Sequence, residues 1–416
     1  VILINMAAFL PSNALDAVVF EVGSTCTRAG FSGEENARVV CASAVGTYVD
    51  ASGEEKRAID LDHLCADVER RIKVRRLIHA HYEEREELVQ RLLAHGFSAL
   101  NANPKEFPVL LAEEAAASSV SRRRSAEMLF EGFGVPALCV ARSAELAAIY
   151  AGRSSAVVVD MTAASSSAVV VADGVMQPRT LQTDKVGGAA IAQIFCKRIA
   201  DGGINFDGMT RRAQGEGSRA ALSQTLLSLR NDELMREVME SLGRVQPSRA
   251  SSASSAAREA RAPLEYLLPD GRVVSVGAEQ ATAPEAFFSE LAGKHKPLQV
   301  LVLEAVKCAE PELHKDLLRN VVVCGDASCL LGLPERLEAE LKFSAQLCAP
   351  TISSQVNRIA VHAAAAVVER KSSVWQGGSI LASLGASHEL WMSKREYEEH
   401  GGALISRKGL QSLQFM

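Results

Sequence analysis

The feature that most constrains this chain is a pattern that occurs twice, about 140 residues apart. "DAVVFEVGSTCTRAGFSG" (16–33) and "SAVVVDMTAASSSAVVVADG" (155–174) each contain an apolar strand, an acid, a turn, a second apolar strand and a glycine. Such a repeated unit predicts an internally duplicated α/β protein whose halves face each other across a cleft. The apolar runs alternate little with polar residues, which favours strands buried on both faces.

Helix and strand signals fill the rest of the chain. "EELVQRLLAHG" (86–96) and "SAEMLFEGFG" (125–134) have apolar residues three and four apart before a glycine, a pattern that predicts helices. "FPVLLAEEA" (107–115) predicts a buried strand, and "NVVVCGDASCLLGLPERLEAEL" (320–341) predicts a strand, a glycine turn and a helix. The backbone N–H groups of such a turn can face a nucleotide.

Composition sets outer limits on function. The 416 residues are enough for two domains, and 48% hydrophobic with 23% charged residues is typical of a soluble globular protein. A net charge of -5 gives no general attraction to nucleic acid or to an anionic membrane. The nine cysteines lack paired spacing, which predicts no disulfide framework and a reducing compartment, cytosol or nucleus.

Two segments are interpreted apart from the folded core. Residues 1–10 are apolar but too short to span a bilayer, so no membrane association is expected, and Met6 is interpreted as the initiator. Residues 248–261, "SRASSASSAAREAR", have low complexity, which predicts a disordered surface insertion.

The last hundred residues carry a family resemblance. "ERKSSVWQGGSILASLGASHELWMSKREYEEHGG" (369–402) resembles the C-terminal signature of actins and actin-related proteins. "EVGSTCTRAGFSGE" (21–34) then resembles the first phosphate loop of that family, and "LPDGRVVSVGAEQATAPEAFF" (268–288) its mid-chain segment. The resemblance covers most of the chain and is poor from about 47 to 80 and from about 200 to 262.

The resemblance implies a fold and a division into lobes. It implies an α/β, actin/ribonuclease-H-like duplicated fold with two lobes around a central nucleotide cleft. Residues 1–150 would form the first lobe and 151–370 the second, with residues 371–416 returning to the first lobe as C-terminal helices.

Short matches point to one class within the family. "GAE" (277–279), "SLG" (383–385) and "EYEEHGG" (396–402) resemble the nuclear actin-related protein four class. That class implies a structural subunit of a nuclear chromatin-remodelling or histone acetyltransferase complex, with cytoplasmic occurrence left open. The alternative is an ATP-hydrolysing cytoskeletal actin-like protein. A sugar kinase or chaperone ATPase of the same superfamily would need catalytic acids in both hairpins.

The resemblance assigns nucleotide contacts to two hairpin turns and two later positions. In the first turn the family pattern is kept, except that Glu21 replaces an aspartate and Arg28 a lysine. Lys371 matches the basic residue near the adenine. The full expected set is Gly23, Ser24, Thr25, Arg28, Asp160, Gly325 and Lys371.

The second turn departs from the family pattern. Thr162 and Ala164 stand where the family has glycines, Ala163 where it has a second acid, and Ser167 where it has a histidine. Added methyl groups crowd a phosphate, and loss of the acid removes an anchor for a hydrated Mg²⁺.

Two further substitutions bear on catalysis and binding. Ser143 replaces the glutamine that orients water in actins, and Asp326 replaces a glycine beside the adenosine. Phosphoryl transfer depends on positioning and charge stabilisation, so the sequence predicts a pseudo-ATPase with no catalytic residues and no metal ligands of its own. Whether ATP binds is left open, and Mg²⁺ or Ca²⁺ would come only with the nucleotide.

The resemblance also implies a partner groove between the lower subdomains. A helicase-SANT-associated helix of a remodeller ATPase or scaffold would dock there, beside actin or another actin-related protein, with histones or DNA contacted through the complex. Some of these positions could instead be core. The matching residues are Ile149, Gly152, Ile380, Leu381, Leu384 and Leu390.

Other features favour less specific interpretations. The segment 53–77 replaces a filament-contact region of actins, so polymerisation is not expected. The basic run 70–76 and the triplet 122–124 are typical of solvated surfaces, although contact with DNA or histone phosphates stays open. His79 and His81 lack cysteine neighbours and are not expected to bind metal.

Overall fold

The computed structural model describes residues 17–62, 64–201, 222–246, 263–268, 271–289, 295–348, 358–384 and 389–408. The predicted insertion at 248–261, Met6 and the apolar segment 1–10 therefore lie outside the described residues. So does part of the "SLG" match at 383–385.

The described strands, numbered in chain order, are short and mostly buried. They are β1 Val18–Val22, β2 Cys26–Phe31, β3 Val39–Ala42, β4 Ala44–Val49, β5 Glu55–Ala58, β6 Lys73–Arg76, β7 Val109–Glu113, β8 Ala137–Arg142, β9 Ala156–Met161, β10 Ser166–Ala172, β11 Val175–Met176, β12 Gln182–Asp184, β13 Leu264–Leu267, β14 Val273–Val276, β15 Val321–Cys324, β16 Val361–Ala363 and β17 Met392–Ser393.

The described α-helices are interspersed among these strands. They are α1 Ala66–Arg71, α2 Tyr82–Ala99, α3 Ser119–Glu127, α4 Ser143–Tyr150, α5 Gly188–Asp201, α6 Gln224–Leu242, α7 Glu279–Thr282, α8 Leu298–Lys307, α9 His314–Arg319, α10 Leu333–Cys348, α11 Val367–Ser383 and α12 Lys394–His400. Short 3₁₀ turns include Asp326–Cys329, which follows β15.

Two six-stranded sheets repeat one topology. The first has the order β17-β8-β7-β1-β2-β3, and the second has β11-β10-β9-β15-β16 with β12 beside β10. In each sheet an antiparallel hairpin, β1-β2 or β9-β10, adjoins two parallel strands, β7-β8 or β15-β16. The predicted duplication is confirmed. The first residues of the hairpin strands, Val18–Val19 in β1 and Ala156–Val159 in β9, are fully buried, as the unbroken apolar runs predicted.

Helices α4 and α11 join the two sheets. They cross at Gly377, where a Cβ atom would lie 1.9 Å from the carbonyl oxygen of Leu146, so only glycine allows this approach. The neighbouring Trp375 is fully buried and donates its indole N–H to the carbonyl of Val19, 3.0 Å away. One hydrophobic core contains residues of both sheets and both helices. The "WQGG" of the C-terminal signature is thus a packing motif of this junction.

The outer parts of the chain close the molecule on the other side of the cleft. A small sheet, β5-β4-β6, packs on α6 through a shared apolar core that includes Ile72, Leu226 and Leu229. The backbone N–H of Val74 donates to Thr225 Oγ1 at 3.0 Å, and the segments are also joined by an ion pair of 2.5 Å between Arg76 and Asp232. The first and second halves of the chain are therefore in contact at both ends of the cleft.

Three further findings concern the cysteines, membrane spans and metal sites of the described residues. Eight of the nine cysteines are free thiols in the part of the chain that the structure describes. Among the described helices we find none that combines the length and the apolar character needed to span a bilayer. Within the same residues, no cluster of three or more His, Cys, Asp or Glu side chains is arranged to hold a metal ion.

Candidate functional site

A cleft lies where the two duplicated hairpins face each other. Its cavity has a volume of about 70 Å³, small beside the roughly 300–1,000 Å³ of typical small-molecule sites. Six of the seven nucleotide-contact residues expected from the sequence line it, and Thr25 reaches it through a contact with Asp326. The lining residues are Glu21, Val22, Gly23, Ser24, Cys26, Arg28, Ala112, Glu113, Glu114, Ser143, Asp160, Thr162, Gly325, Asp326, Lys371 and Val374.

The first turn connects β1 and β2 through residues 23–26. The turn closes with a 3.0 Å hydrogen bond from the N–H of Gly23 to the carbonyl of Cys26. Within the described part of the chain, no protein acceptor lies within hydrogen-bond distance of the N–H groups of Ser24 or Thr25. Backbone donors of this kind are what a phosphate-binding turn presents to its ligand.

The second turn connects β9 and β10 through residues 162–165, and the N–H groups of Thr162, Ala164 and Ser165 are already bonded within the turn. The turn closes with a 2.9 Å bond from the N–H of Thr162 to the carbonyl of Ser165. The Thr162 hydroxyl oxygen then accepts from the N–H groups of Ala164 and Ser165, at 3.2 and 3.1 Å. The side chain at the position of Gly23 in the first turn has therefore become the internal acceptor of the second.

Asp326 crosses the cleft from the second lobe to the first turn. Its Oδ1 lies 3.4 Å from Nη2 of Arg28, and its Oδ2 lies 3.4 Å from the hydroxyl of Thr25. Arg28 also pairs with Glu21, Nη1 to Oε1, at 3.3 Å, and only 9% of its side chain is exposed. By the family resemblance, Asp326 stands in place of a glycine beside the adenosine. The structure shows that it pairs with the first turn.

Gly325 sets the position of Asp326. Its φ of +91° lies in the left-handed region, and a Cβ atom there would be 2.5 Å from the carbonyl oxygen of Met161. The N–H of Gly325 donates to the carbonyl of Arg370 at 3.3 Å, and the Ser328 hydroxyl donates to the carbonyl of Gly325 at 2.6 Å. The turn that carries Asp326 is therefore held on both sides by the protein backbone.

Lys371 lies in the cleft wall but is paired. Its ammonium nitrogen lies 2.6 Å from Oε2 of Glu240, a residue of α6. The preceding Arg370 donates instead to the carbonyls of Ala364 and Ser328. Glu240 was not identified from the sequence, because residues 200–262 carry little of the family resemblance.

Two carboxylates of the cleft, Glu21 and Asp160, are largely buried and their charges are costly. Burial raises the pKa of Glu21 to about 7, against the opposing effect of Arg28, and one of its oxygens has no hydrogen-bond partner. Burial also raises the pKa of Asp160 to about 6, against the stabilising hydrogen bond from Ser143. The Ser143 hydroxyl donates to Asp160 Oδ2 at 3.2 Å. Ser143 is thus occupied with a structural contact in the cleft floor.

The expected groove residues divide into a buried and an exposed set. Leu381 and Leu390 are only 4% exposed and belong to the core shared by the two sheets, so they offer little surface to a partner. Ile380 and Leu384 are 40% and 51% exposed. Ile149 is half-buried and Gly152 is exposed with φ of +65°. Helical spacing alone does not separate core leucines from surface ones on α11.

The basic runs are largely neutralised by neighbouring acids. Arg122 is buried against Glu113, and Arg123 and Arg124 pair with Glu127 and Glu86. In the run 70–76, ion pairs join Arg71 to Asp67, Arg75 to Glu87, and Arg76 to Asp232. The triplet is therefore engaged within the protein, which weighs against direct contact with DNA or histone phosphates.

The two duplicated sheets, the crossing helices and the central cleft with a hairpin turn on each side define the actin fold. The family model for actin matches residues 12–410, and the chain belongs to the actin family. The fold predicted from the sequence is confirmed.

The chain is similar over nearly its whole length to proteins named "Actin-related protein 4". The rice protein (Oryza sativa subsp. indica) is 28% identical over 450 residues, covering 95% of this chain and 98% of the relative. The protein of Schizosaccharomyces pombe is 27% identical over 449 residues, covering 97% and 99%. A rat protein named "Actin-like protein 7B" is also 27% identical, over 407 residues, covering 95% and 88%. The percentage alone therefore does not separate classes within the family.

ATP, which the family implies, fits only part of this cleft. The N–H groups of Ser24 and Thr25 are suited to a phosphate. The second turn has bonded two of its N–H groups to Thr162, and Asp326 already contacts Arg28 and Thr25. The residues present do not fit a triphosphate held between both turns.

Proposed function

We propose that this protein is a non-catalytic actin-related structural subunit of a nuclear chromatin-remodelling or histone acetyltransferase complex. Similarity to the rice and fission yeast proteins over at least 95% of the chain supports the class. The observation that carries the non-catalytic part is the second turn, where Thr162 accepts the N–H groups of Ala164 and Ser165. A turn bonded to itself cannot present those donors to a transferring phosphoryl group.

The contacts of Ser143 support the same conclusion. Its hydroxyl donates to Asp160, so it is both short and already engaged where the family pattern has a water-orienting amide. Loss of positioning groups removes most of the rate of phosphoryl transfer. Purified protein with Mg–ATP should therefore release no phosphate above the level of a protein-free blank, with skeletal actin measured in parallel. Turnover at the rate of that actin would favour the alternative, a cytoskeletal ATP-hydrolysing protein.

Nucleotide binding stays a prediction. If ATP binds without turnover, it acts as a ligand of the folded state and raises stability by RT ln(1 + [L]/Kd), about 2.7 kcal/mol at a hundredfold excess over Kd. Chromatography of the nucleotide released from protein purified without added ATP tests this. Mg²⁺ or Ca²⁺ would accompany only such a nucleotide.

The exposed residues on α11 support docking of a partner helix. Ile380 lies in the last turn of α11 and Leu384 is the residue directly after the helix, and both side chains are exposed. An amphipathic helix can cover such a pair, and we propose a helicase-SANT-associated helix as the occupant. Actin or another actin-related protein would lie beside it on that helix.

Two substitutions test the docking face. In tagged protein recovered from nuclear extract, Ile380→Glu and Leu384→Glu should lose the subunit that carries the helix, while Val120→Glu, at a position 54% exposed on α3, should retain it. Loss of the partner by all three variants, or by none, would contradict the docking face. Recovery of only cytoplasmic motor or filament components with the unmodified chain would contradict the nuclear assignment.

The packing of residues 53–77 supports a protein that does not polymerise. This segment forms β5, α1 and β6 and packs on α6 of the same chain. Its apolar residues are therefore covered by this protein and are not offered to another subunit. A filament needs two complementary faces in every subunit. Sedimentation in the salt and Mg–ATP conditions that polymerise actin should leave the protein in the supernatant.

A further inference from the structure

Asp326 occupies the donors that a phosphate would need. Arg28 and Thr25 belong to the first turn and its following strand, and both contact the carboxylate of Asp326 from the opposite lobe. Arg28 is separated from Asp326 by 298 residues in the chain, so the contact joins the two halves of the molecule. A carboxylate and a phosphate oxygen are interchangeable acceptors for a guanidinium and a hydroxyl.

The contact is well placed but not tight. Asp326 lies on a turn fixed by Gly325 and Ser328, so its carboxylate points at the first turn without ordering a long side chain. Both distances are 3.4 Å, longer than the 2.7–2.9 Å of strong charge-assisted hydrogen bonds. A stronger anion could therefore displace it. A phosphate bound at Arg28 would repel the carboxylate of Asp326, because like charges in a partly dry cleft repel.

We propose that Asp326 is an internal ligand of the first turn, which holds the two lobes together in the place of a bound phosphate and sets the threshold for binding any polyphosphate. The cleft would then be closed by its own carboxylate, and a ligand such as a nucleoside triphosphate would bind only by displacing it. This inference concerns the cleft alone and does not depend on the partner helix of the proposed function.

Binding of inorganic tripolyphosphate to the full chain, measured by titration calorimetry, tests the proposal. Asp326→Asn keeps the shape of the side chain and removes its charge, and it should raise the affinity at least tenfold over the unmodified protein. Glu114→Gln removes the same charge from another acid of the cleft lining and should change the affinity less than threefold. The gain should disappear when Arg28→Gln is combined with Asp326→Asn.

Three outcomes would overturn the proposal. They are equal affinity of the unmodified and Asp326→Asn proteins within a factor of two, an equal gain from Glu114→Gln, and a gain that survives Arg28→Gln. Absence of tripolyphosphate binding by Asp326→Asn at millimolar concentration would overturn it too.

Thermal unfolding without any added ligand gives a second measurement. Asp326→Asn and Arg28→Gln should each lower the Tm, and the double variant should lose less than the sum, because both remove one shared contact. Additive losses would show that Asp326 does not hold the lobes through Arg28. If Asp326→Asn still retains the partner in nuclear extract, the proposed function stands whether or not the contact between Asp326 and Arg28 behaves as proposed.

Discussion

The two hairpin turns of the cleft start from the same pattern and end with opposite properties. Both close with an N–H to carbonyl bond across four residues, Gly23 to Cys26 in the first and Thr162 to Ser165 in the second. Glycine leaves the N–H groups of the first turn open to a ligand, whereas the threonine hydroxyl accepts those of the second. Threonine in place of glycine at the first position of the turn is enough to bond backbone N–H groups that could otherwise bind a phosphate.

The surroundings of the turns differ in the same sense. Among the described residues, the polar contacts of the first turn and β2 with the opposite lobe are the long contacts of Thr25 and Arg28 with Asp326. The second turn packs on the first residues of α5, where the N–H groups of Gly188 and Ala189 donate to the carbonyls of Thr162 and Ala163 at 2.9 Å. The contacts of the first turn are therefore weak enough for a ligand to replace Asp326, whereas the backbone hydrogen bonds of the second turn hold it in a fixed position.

The prediction with the largest expected effect concerns the tight packing around the second turn. A Cβ atom at Gly187 would lie 2.4 Å from the backbone nitrogen of Ser165, so Gly187→Ala should lower the free energy of unfolding by about 3 kcal/mol. A Cβ atom at Gly23 would lie 2.9 Å from the Cys26 carbonyl oxygen, and Gly23→Ala should cost about 1 kcal/mol. Urea unfolding measures both.

The control for overpacking is Gly132→Ala, whose Cβ would lie 3.7 Å from Nε2 of Gln90 and which should leave stability within about 0.5 kcal/mol. Equal losses at positions 187 and 23 would remove the difference in rigidity between the two turns.

The next effect concerns the acids at the base of each turn. Burial raises the pKa of Glu21 from 4.5 to about 7, so the folded state binds more protons than the unfolded state between these values. The contribution of Glu21 to the free energy of unfolding is therefore most favourable below pH 4.5, and it decreases as the pH rises to about 7. The loss is about 2 kcal/mol after allowing for the partial exposure of the side chain.

Glu21→Gln should remove this slope from the Tm measured between pH 4.5 and 7.5. Asp160→Asn should remove a slope in a lower window, ending near pH 6, because burial raises the pKa of Asp160 to about 6. The exposed Glu106→Gln serves as the control and should keep the slope of the unmodified protein. An unchanged slope in Glu21→Gln would show that the cost of this buried charge is already compensated.

The smallest effect isolates the hydroxyl that closes the second turn. Thr162→Val keeps the shape and removes the acceptor of two N–H groups, and it should cost about 1 kcal/mol. Thr25→Val in the first turn loses only the 3.4 Å contact with Asp326 and should cost about 0.5 kcal/mol or less. Hydrogen exchange should show faster exchange of Ala164 and Ser165 in Thr162→Val. Unchanged exchange there would mean that the hydroxyl does not protect the turn.

The sequence predicts the parts of this molecule that are set by local patterns. The apolar runs that became β1 and β9, the repeat that places them in equivalent sheets, and the glycine turn after β15 all follow from hydrophobicity and turn chemistry. The bonded second turn also had a signal, because a threonine at the start of a turn commonly bonds to backbone N–H groups two residues later.

The contacts that join distant segments had no such signal. Asp326 and Arg28 are far apart in the chain, and the pairing of Lys371 with Glu240 depends on a helix in a stretch with little family resemblance. Leu381 and Leu390 were assigned to a surface groove, yet they are core residues of the junction between the sheets. A single helix face can be covered by its own protein or by a partner, and spacing gives the same pattern for both.

The packing of β5-β4-β6 on α6 joins the two lobes at the end of the cleft away from α4 and α11. Separating the lobes there requires Leu226 and Leu229 to leave an apolar core and the Arg76–Asp232 ion pair to break. A ligand that needs a wider cleft would therefore bind with an affinity reduced by the free energy of opening this contact.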